Sequence, residues 1–257
     1  MFTTASSANQ EELDGLAFAS VSVIETLTMM WLLSRINLTG VKLTCVAILF
    51  FHGTKVFMMM IEAAFFLNIW TTTPLMSLAE INAMELQGLV MALLYCPVLV
   101  WSMGKWGDKK SNAASLAFPQ RSALGNLTTL TKRLLVVSVV YATCYILAGM
   151  FILIPLAGES FQPTYEHLQV PVWMPLFQVA RGVLWGLILL PIVIHFSGTK
   201  RQLRISVGLG LAALGSAQLL YPNPHMNEAL RYAHIVDITV SMFVFGWIAC
   251  WIFALRK

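Results

Sequence analysis

The sequence predicts an all-α fold: a polytopic transmembrane helical bundle of seven spans, with the N-terminus outside and the C-terminus cytoplasmic. Three observations predict it. Of the 257 residues, 58% are apolar and only 11% charged, with a mean hydropathy of +0.75; an average soluble domain is about 25% charged. Seven apolar runs approach or exceed the about 20 residues that cross a hydrocarbon core. Basic residues collect in alternate loops, the pattern that orients membrane proteins. These features exclude a soluble globule, a disordered chain and a nucleic-acid binder. The net charge of +4 is accounted for by membrane orientation.

The spans are expected at about 16–34, 43–67, 86–104, 134–156, 173–196, 205–221 and 230–254, forming a single transmembrane domain over 1–257. The first follows a polar stretch that holds Glu11, Glu12 and Asp14 but no basic residue. That stretch lacks the positive start of a signal peptide, so the first run reads as a retained helix. Glu85 stands at the outer start of the third span, where a carboxylate suits the positive end of a helix. The segment 105–132, rich in Ser, Asn, Ala and Lys, reads as a cytoplasmic linker between three helices and four. The sixth span is the shortest, and its Gly208, Ala212 and Ser216 form a small-residue stripe suited to close helix packing.

Orientation follows from Arg35 and Lys42 in the first loop and Lys105, Lys109, Lys110, Arg121, Lys132 and Arg133 in the third. Lys200, Arg201 and Arg204 lie in the fifth loop, and Arg256 and Lys257 end the chain. Thirteen of the sixteen Lys and Arg thus share one side. The alternate loops carry Glu80, Glu159, Glu166 and Glu228, with Arg231 as their single basic residue. This predicts a plasma (inner) membrane protein, multi-pass, with the basic side inward. Asn37-Leu38-Thr39 and Asn126-Leu127-Thr128 match the N-glycosylation pattern, but both fall on the cytoplasmic side and are expected to stay unmodified.

Gly88–Pro97 can be laid on Gly182–Pro191 without a gap, and Gly104 then coincides with Gly198. The match reads either as a parallel repeat of helix pairs, spans 2–3 and 4–5, or as chance among apolar letters.

Charged groups inside hydrocarbon are expensive, so each is a functional candidate. Glu25, Lys55, Glu62, Arg181 and Asp237 lie on four spans, and all are expected in the outer half of the bilayer or near its midplane. His52, Lys55, Met59 and Glu62 fall at helical spacing on one stripe, as do Gln178, Arg181 and Trp185, and His234, Asp237 and Ser241. The simplest pairing neutralises Arg181 and Lys55 against two of Glu25, Glu62 and Asp237. One carboxylate is then left over, with His234 a turn from Asp237, and it is a candidate proton carrier. The competing reading is that these ion pairs only hold helices together.

No cofactor is implied. Cys45, Cys96, Cys144 and Cys250 lie in apolar runs without paired spacing and read as small packing residues. His52 and His195 differ too much in depth to ligate one haem, and His234 with Asp237 is a weak metal pair. Retinal attachment through the last helix needs a lysine that this span lacks. Phosphate-binding and metalloprotease motifs are absent, and no residue is assigned to catalysis. Trp31, Trp70, Trp101, Trp106, Trp173 and Trp251 fit interfacial belts. The outer segments Phe161–His167 and Tyr221–Met226 read as compact caps with short interfacial helices, their His167 and His225 solvated.

The first functional reading is a small-solute or ion transporter or sensor with a polar cluster at Glu25, Lys55, Glu62, Arg181, His234 and Asp237. An accessory or scaffold subunit of a membrane complex is the alternative, and an intramembrane enzyme acting on a lipid or quinone the second. Expected partners are the lipid bilayer, a small solute or ion, and for the scaffold reading another membrane protein.

Overall fold

The computed structural model describes residues 3–67, 76–107, 126–166, 168–221 and 226–254, with side chains from Gly15 onward. Among these residues the chain is helical, with an isolated bridge between Ile36 and Phe196. Seven helices follow in order: α1 (Thr3–Ser34), α2 (Gly40–Leu67), α3 (Leu78–Ser102), α4 (Leu127–Tyr165), α5 (Met174–His195), α6 (Lys200–Leu220) and α7 (Glu228–Phe253). Each contains a window long and apolar enough to cross a membrane. The chain is a multi-pass membrane protein.

Local chemistry sets the helix ends. Ser77 and Glu80 form a reciprocal capping box at the start of α3, and Thr199 and Gln202 do the same at α6. Asn126 and Asn227 accept from the backbone N–H groups of Thr129 and Leu230. Each bond satisfies a donor that the first helical turn leaves open. Cations serve the opposite ends, where carbonyls are unpaired and the helix dipole is negative. Lys105 Nζ donates to the carbonyls of Leu33, Ser34 and Ile36 at 2.7, 3.0 and 3.0 Å. Burial there lowers the Lys105 pKa from its ordinary value. Arg133 donates to Phe253 O at 3.0 Å, and Arg231 to Tyr221 O at 2.8 Å.

Three connections meet at one end of the bundle. Asn37 N–H donates to His195 O (2.7 Å), Ser197 N–H to Arg35 O (2.6 Å) and Gly40 N–H to Lys105 O (2.8 Å). These are the loops rich in lysine and arginine, so the described basic residues of these loops gather on one side.

Helices α1, α6, α7, α4, α5 and α2 form a ring in that order, and α3 lies outside against α2. The π-helical turn of α2 also touches α6 across the ring. The least apolar span, α6, is the most buried. In a bilayer, lipid tails are as apolar as leucine side chains, so close packing rather than hydrophobicity selects the central helix. At the α6–α7 crossing, a Cβ on Gly246 would lie 3.0 Å from Gly208 Cα. A Cβ on Gly182 of α5 would lie 2.5 Å from Ser138 Cα of α4. The first approach is tight for a methyl group, and the second only glycine permits.

Two helices carry single π-helical turns: Gly53–Phe57 in α2 and Gly149–Leu153 in α4. Such a turn inserts a residue and rotates everything beyond it, often at functional sites. Beyond its π turn, α4 passes Pro155 and Gly158 (φ +52°) into a short 3-10 turn and the helix Phe161–Tyr165. Phe161 and Tyr165 join Ala157, Leu230 and Ala233 in a small apolar cluster separate from the main core.

Two expectations are corrected. Helix α3 begins at Leu78 because the Ser77–Glu80 box caps it there, so Glu85 is two turns inside and caps nothing. Helix α4 begins at Leu127 and so takes up residues 127–132 of the expected linker; 108–125 lie outside the described residues, as do His167 and His225.

Candidate polar site within the bundle

Helix α2 supplies polar side chains to three different neighbours. His52 Nε2 lies 2.9 Å from Glu85 Oε1 on α3. Lys55 Nζ donates to both carboxylate oxygens of Glu25 on α1, at 2.6 and 2.7 Å. Glu62 Oε2 lies 3.0 Å from Arg181 Nη2 on α5. The single stripe expected for His52, Lys55, Met59 and Glu62 is not found. The π turn at Gly53–Phe57 falls between the first of these residues and the last two, and it redirects them.

Arg181 is buried and both of its Nη groups have partners. Nη1 donates to Gln178 Oε1 and Nη2 to Met58 O, both at 2.8 Å, beside the ion pair with Glu62. The guanidinium carbon lies 5.6, 5.8 and 6.0 Å from the ring centroids of Tyr141, Phe177 and Tyr145. Planar guanidinium groups suit such aromatic surroundings. The Gln178–Arg181–Trp185 stripe faces the interior along its length: all three residues are buried.

Asp237 has no such partner. Its Oδ1 is buried and makes no hydrogen bond, and the residue forms no ion pair among the described residues. His234, one turn away, turns instead to the C-terminal end of α4, where its Nε2 lies 2.9 Å from Tyr165 Oη. Ser241 bonds back to its own helix at Ile238 O. Glu62 of α2 pairs with Arg181 of α5, whose guanidinium faces Tyr141 and Tyr145 of α4, and Tyr141 and Trp185 meet Phe245 of α7. The site is therefore centred between α2, α4, α5 and α7.

The charge balance follows from the pairing. Glu25 with Lys55 and Glu62 with Arg181 are each neutral, so among these five groups ionised Asp237 leaves a net charge of −1; Glu85, whose partner is the His52 imidazole, is balanced only when that ring is protonated. In a low-dielectric interior such a charge is costly, and a proton or a bound cation relieves it. Nothing here resembles a metal centre: no group of three His, Cys, Asp or Glu able to hold an ion occurs among the described residues.

Several participants are not evident in the sequence. Tyr141 and Tyr145 are two aromatic residues in an apolar run, and their i, i+4 spacing away from the interface is the only clue. Tyr165 reaches His234 because α4 extends beyond its proline. Gln218 of α6 meets the Met59 sulfur of α2, a contact that no periodicity announces. No protein-family model, no curated protein and no solved structure matches the chain.

Proposed function

We propose that this protein is a small-solute transporter or sensor of the plasma (inner) membrane, driven or gated by a proton or cation at Asp237. The observation that carries the reading is the pairing pattern: two ion pairs consume Lys55 and Arg181, and Asp237 Oδ1 remains buried without a partner. A structural ion-pair network has no use for a surplus carboxylate. A coupling site needs one.

The basic end is assigned to the cytoplasm, which places the N-terminus outside, by the excess of lysine and arginine in the loops there. The parallel-repeat reading draws support from two shared features. Pairs α2–α3 and α4–α5 each begin with a helix bearing a π turn that opens on glycine, Gly53 or Gly149. In each, the second helix has an interior proline, Pro97 or Pro191, and a glycine that faces the first, Gly88 or Gly182.

The test is electrical. Purified protein in liposomes on a capacitive sensor should give a transient current on a proton or sodium jump. Asp237→Asn should silence it, whereas the exposed Glu228→Gln should behave as wild type. If Asp237→Asn retains the current, or wild type gives none with either ion, the scaffold reading takes over.

A further inference from the structure

Helix α6 is the most buried span, yet one strip of it stays open to the bilayer. Between residues 205 and 217 only Ile205, Leu209 and Ala213 reach the surface, and Leu209 is 46% exposed. Spaced four apart, they lie on one face of the helix. At about 3.6 residues per turn, that face lies between Ser206 and Gly208. Ser206 Oγ accepts from the Trp31 indole of α1 at 3.1 Å. On the other side, a Cβ on Gly208 would lie 3.0 Å from Phe243 of α7. The strip is therefore the floor of a groove whose walls are α1 and α7. The basic end of this groove holds two guanidinium groups against indole rings. The Arg35 guanidinium carbon lies 4.0 Å from the ring centroid of Trp31, which is 47% exposed. On the opposite wall the Arg204 carbon lies 5.5 Å from the Trp247 centroid, and Arg204 Nε donates to Lys200 O at 3.2 Å. Neither arginine forms an ion pair among the described residues. The described residues of the loops at this end include no carboxylate, and Arg201, exposed in the first turn of α6, adds a third positive charge.

We propose that this groove seats one anionic glycerophospholipid of the leaflet on the basic side, with an acyl chain along Ile205, Leu209 and Ala213 and its phosphate on Arg35. Charge complementarity selects the headgroup: a cationic mouth without a carboxylate of its own takes its counter-charge from the membrane. Contact with a ring holds a guanidinium in place without using its in-plane N–H groups. Arg35 Nε is buried without a partner, so the Nη edge is left to meet a phosphate. Arginine binds phosphate oxygens through such paired donors. A zwitterionic headgroup fits less well, because its own cation would sit beside Arg201 and Arg204. The floor selects the tail. A single row of exposed apolar residues suits an acyl chain, whereas a helix about 10 Å across needs a wider face. The lipid seat uses none of the polar cluster's residues, so it stands or falls apart from the coupling reading.

The full chain in detergent is titrated with dioleoyl-phosphatidylglycerol or dioleoyl-phosphatidylcholine, and native mass spectrometry reads the affinity of the first bound lipid. The glycerol lipid should bind about tenfold more tightly than the choline lipid. Arg35→Gln should remove that preference. Lys42→Gln makes the same charge change at an exposed residue of α2, on the far side of α1 from α6, and should keep it. Leu209→Trp fills the floor without altering charge and should weaken phosphatidylglycerol binding. Should Arg35→Gln fail to fold, the comparison of the two lipids and the Leu209→Trp variant still decide. Equal binding of the two lipids, equal losses in Arg35→Gln and Lys42→Gln, or unchanged binding in Leu209→Trp overturns the proposal and leaves a diffuse attraction between basic loops and anionic lipid.

Discussion

Lys55 and Glu25 are joined by two charge-assisted hydrogen bonds, 2.6 and 2.7 Å, that tie α2 to α1 within the apolar layer. These helices otherwise touch only lightly, so the pair carries much of their association. Removing one member strands a charge in the interior, which typically costs about 3–5 kcal/mol. Lys55→Met and Glu25→Gln should each lower thermal stability sharply in detergent, whereas the double variant should recover most of the loss. A double-mutant cycle on unfolding temperatures measures this, and additive effects would refute the coupling.

Arg181 serves three acceptors at once: Glu62, Gln178 and the Met58 carbonyl. A lysine ammonium is compact and cannot span that fork among aromatic rings. Arg181→Lys should therefore rescue little of what Arg181→Met loses, about 3 kcal/mol or more. Stability equal to wild type for the lysine variant, in the same thermal assay, would count against the geometry.

Much of the fold was legible because membrane physics simplifies it. Seven apolar runs and the alternation of basic loops leave few other architectures, and the charged residues inside the spans are rare enough to name. The depth of Arg181 made a carboxylate partner an energetic requirement, and the structure sets it against Glu62. What was hidden depends on local departures from regular helix. The π turn at Gly53–Phe57 splits the expected stripe of α2, so its polar residues point to three helices. Glu85 was misread as a cap because its run of apolar neighbours starts beside it, while the true cap, Ser77 with Glu80, lies in a polar stretch. The hydrogen bond from Arg181 to Gln178 depends on side-chain geometry that no periodicity carries.

Close glycine contacts give a graded packing prediction. Gly182→Ala should impair folding, because the new methyl would meet Ser138 backbone at 2.5 Å. Gly149→Ala should be tolerated or stabilising, since nothing lies within 4 Å of that position. Overpacking costs typically about 1–3 kcal/mol. Expression and unfolding temperature of the two variants check the order, and equal effects would contradict it.

The loop holding Lys109 should be closed to a membrane-impermeant thiol reagent in intact cells and open after permeabilisation. A single cysteine introduced there, with the four native cysteines replaced, reads this directly. Labelling from outside in intact cells would invert the orientation.

The central claim is that, of Glu25, Glu62 and Asp237, two ion pairs leave Asp237 as the surplus carboxylate. Dicyclohexylcarbodiimide, an apolar reagent that modifies protonated carboxyl groups within membranes, tests it most directly. Treatment of the protein in nanodiscs, followed by peptide mass spectrometry, should place the adduct on Asp237 and leave Glu25 and Glu62 unmodified. Modification of Glu25 or Glu62 in its place, or no modification of Asp237 at any reagent concentration the fold survives, would contradict the account.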